Sequence, residues 1–510
     1  MKMNPATADG AQARPFFEAP STGVSAPERF LLISYHFPPA GTVGALRWQK
    51  LVQLAQARGW VFDVVTLAPS GMEALDRTRL GGLPPGTRVY GAPMPRRMLE
   101  RMEAIAWRCY AWLRRRRAPA APSTSDARSL AQPAHAPPAA SSRGGRGHAL
   151  RRAYFAWMDY YTHSGWVAEA SRVGRQLLES GRYRAIVTSG PPHMAHEAGR
   201  RLAARSGLPL VVDLRDAWSL VQRLADVFDS PLWYRLARRH ERPVMEAAAL
   251  IVMNTARARA AMQDAYPRQR DRIIAVMNGY DDEALPPAPE KSKFVIAYAG
   301  AMYLDRDPTQ LLDVLAAVVR DLALTPADIS LEFMGHVESY QGVSLQDLAR
   351  QSGVGEFVSV AGPGPRDAAL AFMSRACVLV SLPLFRGRGA GRDGGRPLQG
   401  DSDMAIPAKL FEYMLFDAWL LVMAQKGSAA ELLMRDSGAD LVAPGDTAGM
   451  VEVLKRRFRE FRAGTRPVKL SQAMPGASRR SQAAILFDAI EGLGQNATQP
   501  DAGRPGIRGL

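Results

Sequence analysis

Lys409 and Glu412 stand three residues apart in the run Ile406 to Tyr413, IPAKLFEY, a spacing that puts a cation and a carboxylate side by side on a helix. A helix start carries unpaired N–H groups and a partial positive charge that favour a phosphate. Lys409 adds a full charge there, and Glu412 can accept hydrogen bonds from ribose hydroxyls. A nucleoside diphosphate needs those parts. The competing reading is a surface ion pair on an amphipathic helix, worth roughly a few tenths of a kcal/mol. A second cation, Arg306, precedes Asp307-Pro308, where Asp307 reads as an N-cap and Pro308 as the first helical residue; Gly300 closes the strand before them. Two cations at two helix openings on one sheet edge can grip a diphosphate and stabilise its charge as it leaves. Surface pairing of Arg306 with Asp305 or Asp307 is the alternative.

Three further constellations lie in the first half of the chain. Ser189-Gly190-Pro191-Pro192-His193 follows an apolar strand, which puts His193 where it can bond a sugar hydroxyl or donate to a phosphate; a structural histidine is the alternative. In Asp213-Leu214-Arg215-Asp216-Ala217-Trp218 the carboxylates of Asp213 and Asp216 flank an arginine, an arrangement able to position or deprotonate an acceptor hydroxyl. An internal arginine–carboxylate brace fits the same residues. Gly41 to Gly44, after Phe37-Pro38-Pro39, let the backbone come close to a ligand at Gly44. The glycines and arginines of Arg386 to Arg396 suit either a phosphate-covering loop or a disordered one. No Cys and His spacing of a metal site occurs, nor a Walker phosphate loop or nicotinamide fingerprint, so neither a metal nor a cofactor is expected.

The elements that must hold these groups alternate. Apolar strands at Phe30 to Ser34, Val61 to Leu67, Ala185 to Ser189, Leu210 to Asp213, Leu250 to Met253 and Ile273 to Met277 are separated by helical stretches, among them Ala45 to Arg58 closed by Gly59. A second series runs through Phe294 to Ala299, Ile329 to Met334, Phe357 to Val360, Val378 to Leu382, Leu420 to Met423 and Asp440 to Val442. Such alternation predicts parallel sheets, and ligands of open α/β sheets bind beyond the carboxyl ends of the strands. We expect an α/β chain of two doubly wound, Rossmann-like domains facing a cleft. Residues 1–27 read as a disordered tail, 28–285 as the first domain with a flexible insertion at 118–150, and 290–470 as the second. The turn Asn278-Gly279 and the prolines up to Pro289 read as a hinge. A helix at 476–492, with Ile485, Leu486 and Ile490, is expected to return to the first domain, followed by a disordered tail at 493–510.

With 510 residues and 47% hydrophobic content the chain can build two sizeable cores, but no apolar run approaches the roughly 20 residues that span a bilayer. Two cysteines, Cys109 and Cys377, and a polar N-terminus without the apolar block of a secretory signal lead us to expect a cytoplasmic location. A net charge of +16 favours an anionic partner. Eight of the arginines fall between Arg96 and Arg117, against Glu100 and Glu103, with Met98, Met102, Ile105, Cys109 and Leu113 at helical spacing. That segment reads either as a basic helix on an anionic membrane surface or as one packed on its own domain. No nucleic-acid-binding module is present, so no nucleic acid is expected.

Together YHFPPAGTVGALR at Tyr35, SGPPH at Ser189, DLRDAW at Asp213, NGYD at Asn278, YAGAMYLDRDP at Tyr298 and IPAKLFEY at Ile406 resemble the glycosyltransferases of family 4. These are nucleotide-sugar-dependent enzymes of the GT-B fold, and the match looks closest to the branch that builds bacterial surface polysaccharides. The resemblance spans about residues 29–460 and implies a nucleotide-sugar donor, a lipid-linked or oligosaccharide acceptor, and a retaining reaction without bound metal. It implies diphosphate contact from Arg306 and a sugar or ribose contact from Glu412; the residues themselves add Gly44, Gly300 and Lys409 as expected donor contacts and His193, Asp213 and Asp216 as expected catalytic groups. Two positions depart from the family pattern. The first of its paired glutamates falls on Met404, with Asp401 or Asp403 as substitutes, and its arginine falls on Ala301, leaving Arg306 at the lysine position. A non-catalytic nucleotide-sugar sensor of the same fold is the alternative.

Overall fold

Fold and site are described from a computed structural model that covers residues 13–21, 28–95, 146–221, 224, 227–302, 306–383 and 404–495. The basic segment 96–117, the glycine–arginine loop 386–396, and Asp305, Asp401 and Asp403 lie outside the described residues.

Among the described residues the first sheet has eight strands. They are β1 (Phe17–Glu18), β2 (Glu28–Ser34), β3 (Trp60–Leu67), β4 (Arg88–Ala92), β5 (Ile186–Gly190), β6 (Leu210–Leu214), β7 (Leu250–Met253) and β8 (Ile273–Ala275), in the order β1-β4-β3-β2-β5-β6-β7-β8. β2 runs parallel to both β3 and β5, and β5 to β6. The apolar runs explain the burial: β5 and β6 are buried along their whole length, as strands covered on both faces must be. Trp48 of the helix Leu46–Ala55 packs on Phe62, which stacks on Phe30 at 5.4 Å. Gly59 ends that stretch at φ +71°, a left-handed turn that leads straight into β3. The strand order reverses between β2 and β5, with Ser34 opposite Ser189. The loops after these two strands therefore diverge at one point of the sheet edge, the place where such sheets bind ligands.

The second sheet repeats the plan. β9 (Phe294–Ala299), β10 (Ile329–Met334), β13 (Val358–Ala361), β14 (Val378–Ser381), β15 (Trp419–Met423) and β16 (Asp440–Val442) are ordered β13-β10-β9-β14-β15-β16, all parallel; β11 (Ser339–Tyr340) and β12 (Val343–Ser344) form a small hairpin. Its reversal lies between β9 and β14. The helix Thr309–Leu322 presents Leu311, Leu312, Leu315 and Val318 to the core, all fully buried, each side chain adding about 1.5–3 kcal/mol. Phe294 meets Phe458 and Phe461 of the helix Thr447–Arg462, each at 5.5 Å.

Several expectations shift. Phe17 and Glu18, inside the tail read as disordered, pair with Val89 and Arg88, because edge β4 has open backbone groups to offer. The long aromatic helix begins at Arg146, so the insertion read as 118–150 is helical over its last five residues. Asp307 caps the helix Thr309–Leu322 through its side chain, which accepts from Thr309 N at 2.8 Å, but Pro308 is the residue at the cap position.

By internal contacts the chain forms two units, residues 1–219, 223–251 and 490–510 in one and 220–222 with 252–489 in the other. The change of unit thus falls inside β7, well before the Pro286–Pro289 stretch. Local bonds account for it: Thr255 Oγ1 donates to Met404 O at 2.7 Å, and Tyr280 Oη to Ser471 O at 2.9 Å. The last helix, Arg479–Gln495, joins the first unit from Ile490 onward, where Glu491 pairs with Arg58 at 2.9 Å. Leu486 and Ile490 of that helix are buried, whereas Ile485 is exposed.

Candidate functional site

In the second unit Gly300, Arg306 and Lys409 converge around one residue, Tyr298, near the end of β9. Lys409 Nζ lies 3.7 Å above the Tyr298 ring centroid. Arg306 is buried and donates from Nη1 to Tyr298 Oη and to Ala301 O, each at 3.1 Å. Tyr298 Oη in turn donates to Ala301 O at 3.0 Å. Gly300 leaves the strand at φ +130°, and a Cβ there would stand 2.7 Å from Lys409 Nζ. Gly335, at φ +120° after β10, is pressed so closely against it that a Cβ would come within 2.2 Å of Gly300 O. The two glycines together leave the space into which Lys409 projects.

Lys409 Nζ is buried and donates to no hydrogen-bond partner among the described residues. Burial, then the nearby Arg306 charge, pull its ammonium down to about 6, against which Glu412 pulls upward. A cation–π contact returns part of the lost hydration, but three donors of an ammonium remain unused. An arrangement of this kind stores affinity for an anion. Glu412 is half-buried and faces Arg366 on the helix Arg366–Ser374; burial pushes its carboxyl up, and Arg366 opposes the push. A cavity of about 190 Å³ opens beside Arg306 at the ends of β14 and β15. Ser381, Ile406, Pro407 and Ser428 are among its lining residues.

The first unit gathers a second set of groups at its own reversal point. His193 stacks on Trp218 with ring centroids 5.3 Å apart, and its Nδ1 is buried without a hydrogen-bond partner among the described residues. Burial, with His196 and Arg215 adding to it, holds the His193 imidazole well below its usual range, so the ring is neutral. His36 is brought down to about 4 by burial, Arg215 and His163. Arg215 Nη1 donates to Gly44 O at 3.0 Å, and a Cβ at Gly44 would meet the same nitrogen at 3.3 Å. Gly44 thus seats an arginine. Asp216 follows the end of β6 and its side chain reaches the surface, while its carboxyl is enclosed enough that burial raises its pKa, with Arg215 and Arg47 opposing the rise.

For Asp213 the geometry corrects the expectation of a catalytic base. Its carboxylate is fully buried and receives Arg47 Nε at 2.9 Å, Arg47 Nη2 at 3.0 Å and Trp48 Nε1 at 2.7 Å. Both oxygens are occupied in a brace between β6 and the helix Leu46–Ala55, the alternative that the arginine-flanked sequence left open. Asp213→Ala takes from the buried Arg47 and Trp48 the carboxylate to which both donate, an expected loss of about 3–5 kcal/mol. Thermal unfolding of the variant should move down by roughly 3 °C for each of those kcal/mol. An unchanged melting curve with lost activity would restore Asp213 as a reacting group.

The sequence assigned no role to Tyr298, Gly335, Arg366 or His36. Each acts through a neighbour distant in the chain, so local spacing holds no signal for it. A glycine immediately after each of two adjacent parallel strands, Gly300 and Gly335, was the one clue available.

No known protein family matches the sequence, and no curated protein is similar to it at the sequence level. Solved structures do resemble it. The lipopolysaccharide outer core galactosyltransferase WaaB matches with a TM-score of 0.51 at 11% identity, over 91% of this chain and 99% of its own. The N-terminal domain of Candida albicans trehalose-6-phosphate phosphatase gives 0.52 at 12% identity, over 94% and 99%. The fold is GT-B. A UDP-forming α,α-trehalose-phosphate synthase from Burkholderia xenovorans gives 0.50 at 14%, over 92% and 99%. Among the described residues no group of His, Cys, Asp and Glu is placed to hold a metal ion, and no helix is long and apolar enough to cross a membrane.

Proposed function

We propose that this chain is a glycosyltransferase that moves a sugar from a nucleotide-sugar to a lipid-linked or saccharide acceptor in the synthesis of a bacterial surface polysaccharide or lipopolysaccharide, at the cytoplasmic face of the membrane. The observation that carries the reading is the buried, unpartnered Nζ of Lys409 held over Tyr298 beside Arg306. The Nζ of Lys409, which donates to no described residue, and the buried guanidinium of Arg306, at the carboxyl ends of neighbouring parallel strands, suit a pyrophosphate better than any neutral ligand. The GT-B fold supports the same assignment, since WaaB is a galactosyltransferase and the Burkholderia enzyme forms UDP.

Lys409 and Arg306 would stabilise the leaving nucleoside diphosphate without a metal, and the departing phosphate would take the acceptor proton, giving retention at the anomeric carbon. His193, neutral and with a free ring nitrogen, is suited to bonding a sugar hydroxyl. Asp216 is the carboxylate left to orient an acceptor. A panel of UDP-, GDP- and ADP-sugars should yield one that binds and is slowly hydrolysed, and Glu412→Ala should weaken its binding by about tenfold or more. Equal affinity in that variant would refute the assignment of Glu412.

Met404 and Ala301 favour a second reading, a sensor of nucleotide-sugars. Met404 brings a thioether to a position where the family resemblance implies a carboxylate, and its backbone oxygen is taken by Thr255. Binding of a nucleotide-sugar with neither hydrolysis nor transfer to any acceptor extract would select that reading.

A further inference from the structure

Arg366 opens its helix and reaches two carboxylates of the second unit at once. Nη1 pairs with Glu412 Oε1, while Nη2 lies 2.5 Å and Nε 3.4 Å from the two oxygens of Glu283. The Arg366 side chain is 53% exposed and that of Glu412 24%. Ion pairs so open to water add little to folding stability, so the contact is a poor candidate for a staple. Its effect falls on the carboxylate. Burial favours the protonated form of Glu412, and Arg366 is the first group that opposes it. An acceptor for two vicinal hydroxyls must be ionised, because a protonated carboxyl gives up acceptor sites. It must also be held still, because a rotamer frozen on binding subtracts from affinity.

We propose that Arg366 is a positioning residue for nucleoside recognition: anchored on one side by Glu283, its guanidinium holds the Glu412 carboxylate ready to accept the two hydroxyls of a ribose. The inference rests on the reading of the second unit as a nucleotide-sugar site. Arginine suits the task because its planar fork reaches both carboxylates in fixed directions, whereas the point charge of a lysine reaches one. Glu283 belongs to the segment leading into Pro286, so the same guanidinium also ties that segment to the site.

The test compares UDP, GDP and ADP with their 2′,3′-dideoxy counterparts, titrated into the full-length protein and its Arg366→Gln and Arg366→Lys variants. The protein should prefer the ribonucleotide by about tenfold, the worth of hydrogen bonds to a charged acceptor. In Arg366→Gln that preference should drop to about threefold or less while dideoxynucleotide affinity stays within about twofold, and Arg366→Lys should fall between. The preference that remains in Arg366→Gln should also disappear at a higher pH than in the parent, since the carboxyl keeps its burial and loses its cation. A preference unchanged in Arg366→Gln overturns the proposal. Equal weakening of both nucleotides also overturns it, because Arg366 would then touch the nucleotide itself. A parent protein that binds none of the six nucleotides overturns the donor-site reading, and this inference with it.

Discussion

Lys409→Met is expected to weaken nucleotide-sugar binding severely and, in the same protein, to raise the temperature of unfolding. The ammonium is drawn down from 10.5 to about 6, first by burial and then by Arg306. The unfolded chain therefore binds a proton that the folded chain does not between those two pH values, and stability must rise with pH across that window. The penalty is absent above about pH 10.5, grows as pH falls, and is complete below about 6. Near neutrality it amounts to several kcal/mol, of which the aliphatic stem of methionine, filling similar space, should recover about 1–3 kcal/mol. That corresponds to roughly 3 °C per kcal/mol. Loss of two charge-assisted bonds to a pyrophosphate should weaken binding by about a hundredfold. A variant that binds as well as its parent, or one that melts earlier across the same pH window, contradicts this account of Lys409.

The second large effect is expected at Gly335. A Cβ there would stand 2.2 Å from the oxygen and 2.8 Å from the carbonyl carbon of Gly300, both main-chain atoms at the end of a buried strand, and φ is +120°. Neither neighbour can turn aside as a side chain would. Gly335→Ala should cost about 3 kcal/mol or more, from overpacking and from a conformation open only to glycine. Moving Gly300 also moves the backbone against which Lys409 lies, so binding should fail together with stability. Gly353→Ala is the matched control. Gly353 has φ +74° but nothing within 4 Å of a Cβ, so the conformational cost alone applies, about 1 kcal/mol. Equal costs in urea unfolding of the two variants would remove the clash from the account.

The alternation of strand and helix was legible because buried parallel strands appear as short unbroken apolar runs and surface helices as amphipathic ones. β5, β6, β9 and β10 sit within a residue of where those runs place them. The edges were not legible. β1 and β4 are short, carry Arg88 and Glu18, and owe their strand form to a neighbour rather than to their own composition. At the site, Lys409, Glu412, Gly300 and Arg306 could be read because charge and glycine at an element's end are local signals. Whether Asp213 reacts or braces could not be read, since the decision rests with Arg47 and Trp48, more than 160 positions away. Tyr298 stayed hidden for the opposite reason: an aromatic residue in an apolar strand looks like core, and only the fold shows its ring beneath an ammonium.

The central claim is that Lys409 waits as a largely neutral amine and becomes an ammonium when a pyrophosphate arrives. Calorimetric titration at pH 8 with the nucleotide-sugar that binds, repeated in two buffers of different ionisation enthalpy, counts the protons exchanged. The account predicts uptake of about one proton per nucleotide-sugar bound, lost in Lys409→Met. Tight binding without proton uptake, or the same uptake in Lys409→Met, would contradict it.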